Sequence, residues 1–220
     1  MVKKQIGKFY FYLFTNLSGK KGIKHFVSTK SLDLGSRLAP KINNRQLLSQ
    51  TLKIPFEDLL FANQVHGSKI VKATSKHQVI PNCDGLITNV PNICLAIVVA
   101  DCAPIVFFDE KKKVIGVCHA GFKGTKKSIA LKTIKALEKH FNSNPKDIIV
   151  GIGPSIGPCH YERIDLWEEN KKQLLEAGVL EENIEVSKIC TYENTESFFS
   201  ERKQRATGRF TAGIMLLSKS

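Results

Sequence analysis

ICLAIVVADCAPIVFFDEKKKVIGVCHAG, residues 93–121, is the stretch that decides how this chain folds. Ile93 to Ala100 is apolar throughout, the pattern of a strand buried on both faces. Pro104 to Phe108 and Lys113 to Cys118 are two further apolar strands, and Asp109-Glu110-Lys111-Lys112 between them is a charged turn. If that hairpin is centred between Glu110 and Lys111, facing residues have numbers summing to about 221, and Cys102 and His119 satisfy the sum. Side chains directly opposed in a hairpin have Cβ atoms roughly 4.5–5.5 Å apart on one face. Such a separation suits a shared metal or a thiolate–imidazole pair, and a one-residue slip would break it.

Outward from this segment, Phe9 to Thr15 reads as a strand and Asn43 to Leu52 as a helix stopped by Ile54-Pro55. Leu59 to His66 and Lys69 to Ala73 flank Gly67 and predict two strands meeting at a tight bend. Cys83-Asp84-Gly85 is a turn leading into Leu86-Ile87-Thr88. Thr125 to Phe141 is the strongest helix, with Ile129, Ile134, Leu137 and Phe141 in one stripe and lysines on the other face. Ile148 to Ile152 is a strand, and Gly153 to Pro158 a rigid Gly- and Pro-rich turn that lacks the lysine and helix of a phosphate loop. Asp165 to Ala177 is helical and ends at Gly178. Ile184 to Val186 and Ala212 to Leu217 are the closing strands. Strands clustered with few helices between them indicate an α+β domain rather than regular βαβ winding.

The composition narrows the class. A chain of 220 residues with 42% hydrophobic and 24% charged residues builds a proper core and fits one large domain. No apolar stretch approaches the roughly 18 residues of a membrane span, and Phe9 to Phe14 is too short for a signal-peptide core. Six cysteines without a C-x-x-C pairing argue against both a disulfide scaffold and a zinc ribbon, and the expected compartment is the cytoplasm. The formal charge of +13 is carried by scattered lysine pairs and triplets, as on a solvated surface. Such a surface also draws anionic small substrates, but no nucleic-acid module or basic–aromatic interleaving accompanies it.

Two imidazoles and a thiol at strand ends, His66, Cys102 and His119, are ligand types that suit zinc or copper, and three protein ligands leave a fourth position open for chemistry. Each has a blander alternative: a cysteine beside a strand is usually a small buried hydrophobe, and a histidine is often a hydrogen-bonded core residue. Local arithmetic does not place His66. His25, His77 and His140 rank low, whereas His160, following Cys159 in a loop, is less easily set aside.

Five ordered motifs then carry a resemblance: Asn63-Gln64-Val65-His66-Gly67, Cys83-Asp84-Gly85-Leu86, Ala100-Asp101-Cys102-Ala103-Pro104, His119-Ala120-Gly121-Phe122-Lys123-Gly124, and Gly151 through Glu162. With Phe199-Ser200 and Thr207-Gly208-Arg209, they make residues 10–217 similar to the YfiH-like family, also labelled the laccase-domain or multicopper polyphenol oxidase family. The resemblance implies a single α+β domain over 1–220, of mixed β-sheets with flanking helices, akin to a YfiH-like cysteine hydrolase fold. It implies His66, Cys102 and His119 as catalytic metal ligands, with Zn²⁺ (or copper) as cofactor. The implied activity is purine nucleoside phosphorolysis of adenosine, inosine and S-methyl-5'-thioadenosine, with adenosine deamination beside it. Purine nucleosides and phosphate are the expected partners, with no nucleic acid or membrane, in a monomer or homodimer.

Lys123 and Arg45 are the candidates for holding phosphate, and Asp101 and Asp84 for orienting ligands or gripping ribose hydroxyls. Gln64 is counted with these substrate contacts. Phe122-Lys123 stands where the family has Trp-Arg, which turns a bidentate anion contact into a point charge. Lys20-Lys21-Gly22-Ile23 and Asp33 are further departures. A rival reading makes Cys102 the nucleophile of a cysteine hydrolase or amidase that edits peptidoglycan precursors, with His119 as base. A multicopper oxidase would need about ten histidines by extension from the blue-copper ligand set, and the chain has six. A non-catalytic nucleic-acid binder is the remotest alternative, with salt-dependent retention on DNA as its test.

Overall fold

A computed structural model describes residues 1–35, 39–76 and 80–218. His77 lies outside the described residues. The chain begins with strands β1 (Val2–Ile6), β2 (Phe9–Leu13) and β3 (Ile23–Ser28), helix α1 (Ile42–Leu52), and strands β4 (Leu59–Phe61), β5 (Ile70–Lys72) and β6 (Gly85–Thr88). The long apolar stretch gives β7 (Cys94–Val99), β8 (Ala103–Asp109) and β9 (Val114–Ala120), followed by helices α2 (Phe122–Lys126) and α3 (Ile129–Phe141). Strand β10 (Ile148–Ile152), helix α4 (Leu166–Glu176), strand β11 (Ile184–Val186), the short helix α5 (Glu201–Gln204) and strand β12 (Phe210–Leu216) complete it.

The strands form two six-stranded sheets, in the orders β1-β2-β3-β12-β7-β4 and β11-β10-β8-β9-β6-β5. Both are mixed, because β4 runs parallel to β7, β5 to β6 and β10 to β11 while the other pairs are antiparallel. The sheets pack face to face: Leu95, Ile97 and Val99 of β7 share one cluster with Val106 and Phe108 of β8 and Ile115 and Val117 of β9. The outer face of the first sheet, including Cys94 and Val98, buries Leu48 and Leu52 of α1. On the outer face of the second, Ile105 and Phe107 meet Ile129, Ile134 and Leu137 of α3 and Leu174 of α4. Burying each such aliphatic side chain of α3 contributes about 1.5–3 kcal/mol. The four layers explain why residues 93–121 read as unbroken apolar runs: these strands are covered on both faces, so no polar alternation survives.

Three expectations need correction. The β8–β9 hairpin pairs Ala103 with Ala120 and Asp109 with Val114, so facing numbers sum two higher than expected. The cause is a four-residue connection, in which Asp109 Oδ1 accepts the N–H groups of Lys111 and Lys112 and Lys113 takes a left-handed φ of 53°. A shift of two keeps the faces and sets Cys102 opposite Gly121 rather than His119. The helix expected over 125–141 is broken at Ser128, whose φ is 56°. Gln173 of α4 spans the break, its Nε2 donating to Thr125 O (2.8 Å) and its Oε1 accepting Ala130 N–H (3.2 Å). Finally, the segments flanking Gly67 do not pair with each other: β4 belongs to the first sheet and β5 to the second. The left-handed residue between them is His66, with a φ of 58°.

Candidate metal centre

The site lies where the chain crosses between the sheets. Val99 ends β7 in the first sheet and Ala103 starts β8 in the second, so Asp101 and Cys102 occupy the crossing. Asp101 turns it with a φ of 78°. His119 lies at the end of β9, and His66 on the loop after β4. One ligand atom from each of His66, Cys102 and His119 lies within 4.8 Å of the others, and the two imidazoles meet edge to face with ring centroids 4.8 Å apart.

Asp84 assembles them. Its fully buried carboxylate accepts the N–H groups of Val65 (3.3 Å), His66 (2.9 Å) and Gly67 (2.6 Å), and it hydrogen-bonds His119 Nδ1 at 2.9 Å. One side chain thus holds the backbone that carries His66 and orients the His119 ring. With Nδ1 directed at the carboxylate, Nε2 is left for a ligand, the arrangement by which carboxylates orient metal-binding histidines. Space is reserved as well: a Cβ on Gly121 would fall 2.7 Å from Cys102 Sγ, and one on Gly124 would fall 2.9 Å from Gly67 O.

The electrostatics follow from these contacts. Burial alone would raise the Cys102 thiol, but the charge of His119 and hydrogen bonds from His119 and His66 outweigh it and push its pKa down. Burial alone would lower His119, yet Cys102 and Asp84 hold its pKa up. Burial opposes ionisation of Asp84 too, and its hydrogen bonds to His119 and the loop N–H groups hold its pKa below the ordinary carboxylate value. Three other interior thiols differ: burial raises Cys83 to about 11 and Cys94 and Cys118 to about 12. The donor set of two imidazoles and an acidified thiol therefore fits a borderline-soft cation.

These residues open into a cleft of about 930 Å³. The candidate substrate residues divide. Asp101 lines the cleft, and its carboxylate accepts Thr191 Oγ1–H (2.6 Å) and Arg202 N–H (2.7 Å). Gln64 also lines it, but its amide is committed to the β7 backbone, through Val98 O (2.8 Å) and Val98 N–H (2.9 Å). Asp84 sits behind His119. Lys123 is exposed on α2, and neither it nor Arg45 is among the lining residues. Arg45 lies on α1 with its guanidinium over the Phe61 ring and its Nε donating to Leu34 O, and burial lowers its pKa to about 10.

Among the described residues, the arginines that line the cleft are Arg202, Arg205 and Arg209. Sequence reading missed the first two, since α5 has only four residues and no periodicity. The available signal was Ser200 as a helix N-cap ahead of a basic turn; its hydroxyl accepts Lys203 N–H at 3.3 Å. Phe122 and Tyr161, in edge-to-face contact at 6.3 Å, add an aromatic wall, and Arg202 lies 5.6 Å over Tyr161.

The chain belongs to the family described as multi-copper polyphenol oxidoreductase laccase, the YfiH-like proteins, whose model matches residues 30–163 and 162–217. Among its relatives, purine nucleoside phosphorylase YlmD of Bacillus subtilis is 31% identical, over 91% of this chain and 86% of its own. Purine nucleoside phosphorylase YfiH of Escherichia coli is 26% identical, over 85% and 87%. The crystal structure of YlmD from Geobacillus stearothermophilus superposes with a TM-score of 0.85 at 31% identity, covering 91% of this chain and 94% of that one. No helix among the described residues is long and apolar enough to cross a membrane.

Proposed function

We propose that this chain is a zinc-dependent purine nucleoside phosphorylase, converting adenosine, inosine or S-methyl-5'-thioadenosine and phosphate into the free base and the ribose 1-phosphate. The observation that carries the reading is one cleft lined by the His66, Cys102 and His119 set together with Arg202, Arg205 and Arg209. The names of the relatives support the substrate class.

In this reading the arginines bind phosphate, whose planar oxygen pairs match the guanidinium fork. Phe122 and Tyr161 offer apolar surface to the purine, and Asp101 fixes Arg202 through its backbone. Phosphate attacks the anomeric carbon as the N-glycosidic bond breaks, and negative charge builds on the departing base. Groups positioned to meet that charge lower the barrier. Bound by His66, Cys102 and His119, zinc would supply Lewis acidity and, for the accompanying adenosine deamination, a water usable at neutral pH. Asp84 keeps the His119 proton on Nδ1. The six free cysteines support a reducing compartment, the cytoplasm, as the place of action.

Adenosine incubated with and without phosphate tests the reading. Adenine formed only with phosphate is the expected product, with inosine as the deamination product. Replacing Cys102 with Ala should abolish turnover together with metal retention at the His66, Cys102 and His119 set, and an unchanged rate would overturn the assignment.

A second reading rests on the Cys102–His119–Asp84 chain of contacts, which without a metal has the form of an activated thiol nucleophile, its base and an orienting carboxylate. It would make the protein a cysteine hydrolase or amidase acting on peptidoglycan precursors. Its signature is a covalent adduct at Cys102 in metal-stripped protein.

A further inference from the structure

A second group of soft ligands converges from two loops that the first set does not use. Pro158–His160 forms a single 3-10 turn carrying Cys159 and His160, and the segment after Ile189 carries Cys190 and Glu193. Backbone bonds hold the loops together: Ser155 N–H donates to Ile189 O (3.2 Å), and Thr191 N–H donates to Ser155 O (3.0 Å). One ligand atom from each of Cys159, His160, Cys190 and Glu193 lies within 4.8 Å of the others.

The distances approach those of a tetrahedral centre. Zinc bonds of about 2.0–2.3 Å set neighbouring ligand atoms about 3.3–3.8 Å apart. His160 Nε2 is 3.2 Å and Cys159 Sγ 3.6 Å from Glu193 Oε1, so two pairs already meet that spacing. The remaining pairs close by about 1 Å or less to reach it. Two contacts resemble the outer support of metal ligands. Gly157 N–H donates to Cys190 Sγ at 3.2 Å, and the His160 ring stacks on Tyr192 with centroids 4.1 Å apart and planes 18° apart. Cys190 is buried while Cys159 and Glu193 are exposed, so the site has both an anchored ligand and an entry path.

The geometry points to a second zinc site formed by Cys159, His160, Cys190 and Glu193. Four protein ligands make it a closed, structural site rather than a catalytic one. Binding replaces the two thiol protons, which leave to solvent, with one divalent cation. Its consequence reaches the cleft. Ile156 and Tyr161, on either side of the 3-10 turn, line the cleft, and Thr191 holds Asp101, which in turn holds Arg202. The cation would pin these two loops to each other and so fix the wall that carries Tyr161 and Arg202. The site stands whether or not His66, Cys102 and His119 bind zinc.

The test uses the full chain with Cys102→Ala, reduced, stripped of metal and titrated with zinc. The expected result is one zinc retained per chain, and its loss in the Cys102→Ala/Cys159→Ser double variant. Cobalt in place of zinc should show thiolate charge-transfer absorption in the Cys102→Ala chain that disappears in the double variant. Because Cys159 is exposed, the double variant keeps the fold, and Cys102→Ala/Glu193→Gln, with weakened binding, is a second check. No zinc retained by the Cys102→Ala chain would overturn the proposal. So would unreduced protein lighter by two hydrogens with Cys159 and Cys190 joined, which would make them a redox pair.

Discussion

Two histidines of this chain are buried to nearly the same extent, and the fold leaves one neutral and the other charged. His25 on β3 is 8% exposed and His119 at the end of β9 is 3% exposed. His25 accepts Phe14 N–H at Nε2 (3.0 Å) and stacks on the Phe14 ring, and burial lowers its pKa to about 4. His119 meets the same desolvation, but Cys102 and Asp84 outweigh it and hold its pKa above the ordinary value. Burial by itself makes an imidazole neutral; only anions within contact distance keep it charged. A histidine on an apolar strand therefore says nothing about chemistry until its neighbours are known.

The most damaging way to break this contrast is to remove Asp84. Asp84→Ala leaves the N–H groups of Val65, His66 and Gly67 and the Nδ1 of His119 without their shared acceptor. Breaking a buried charged hub of this kind costs about 3–5 kcal/mol. The expectation is a loss of that size in urea unfolding, with zinc no longer held by His66, Cys102 and His119. Asp84→Asn keeps the shape but not the charge, and metal affinity should fall about 10–100-fold, the usual effect of losing a histidine's outer carboxylate. Unchanged zinc affinity in Asp84→Asn would mean that Asp84 does not orient His119.

Asp84 also shows why part of this site was legible in the sequence and part was not. The strands of residues 93–121 stood out because burial on both faces leaves no polar alternation along them, Asp109 and His119 standing only near strand ends. The hairpin register came out two residues off because the Asp109 side chain, not strand periodicity, sets the length of the turn. Even so, a shift of two preserves the face, so Cys102 and His119 still converge. His66 could not be placed from spacing, since a carboxylate 18 residues downstream fixes its position, and only the motif order tied it to the others. The break at Ser128 was hidden for the same reason: Gln173, far along the chain, spans it. Arg202 escaped the sequence reading because Asp101 places it through a backbone bond across 101 residues.

The next largest effect separates the two histidines by pH. His25 takes up a proton at about 6.5 when unfolded and only at about 4 when folded. Its contribution to stability is therefore complete above about pH 6.5 and is lost as pH falls toward 4, amounting to about 3 kcal/mol over that window. His119 and Cys102 behave differently. Between their ordinary values of 6.5 and 9.0, folding moves a proton from the thiol to the imidazole without changing the number bound. The pair therefore gives metal-free protein no slope across that range. Urea unfolding of metal-stripped protein at pH 7 and pH 4, compared between the parent and His25→Gln, should show about 3 kcal/mol less loss in the variant. Equal losses in the two proteins would show that His25 is not the titrating group.

The smallest effect belongs to the groups that reach the His119 cleft without being buried. Arg202 and Arg205 are exposed, so water screens their charges, and neither supports the fold as Asp84 does. Replacing either with Ala should leave the unfolding midpoint within about 0.5 kcal/mol of the parent. If they bind phosphate, the KM for phosphate should rise about tenfold, equivalent to about 1.4 kcal/mol from one lost charged contact. The KM for the nucleoside should move far less, because Phe122 and Tyr161 remain in place. Lys123→Ala is the control that sharpens the contrast: Lys123 is as exposed as Arg202 but lies outside the cleft, so it should leave the KM for phosphate unchanged. A larger effect from Lys123 than from Arg202 would move the phosphate site off the arginine wall and onto α2. Equal rises in both KM values would mean that the arginines shape the whole cleft rather than hold one substrate.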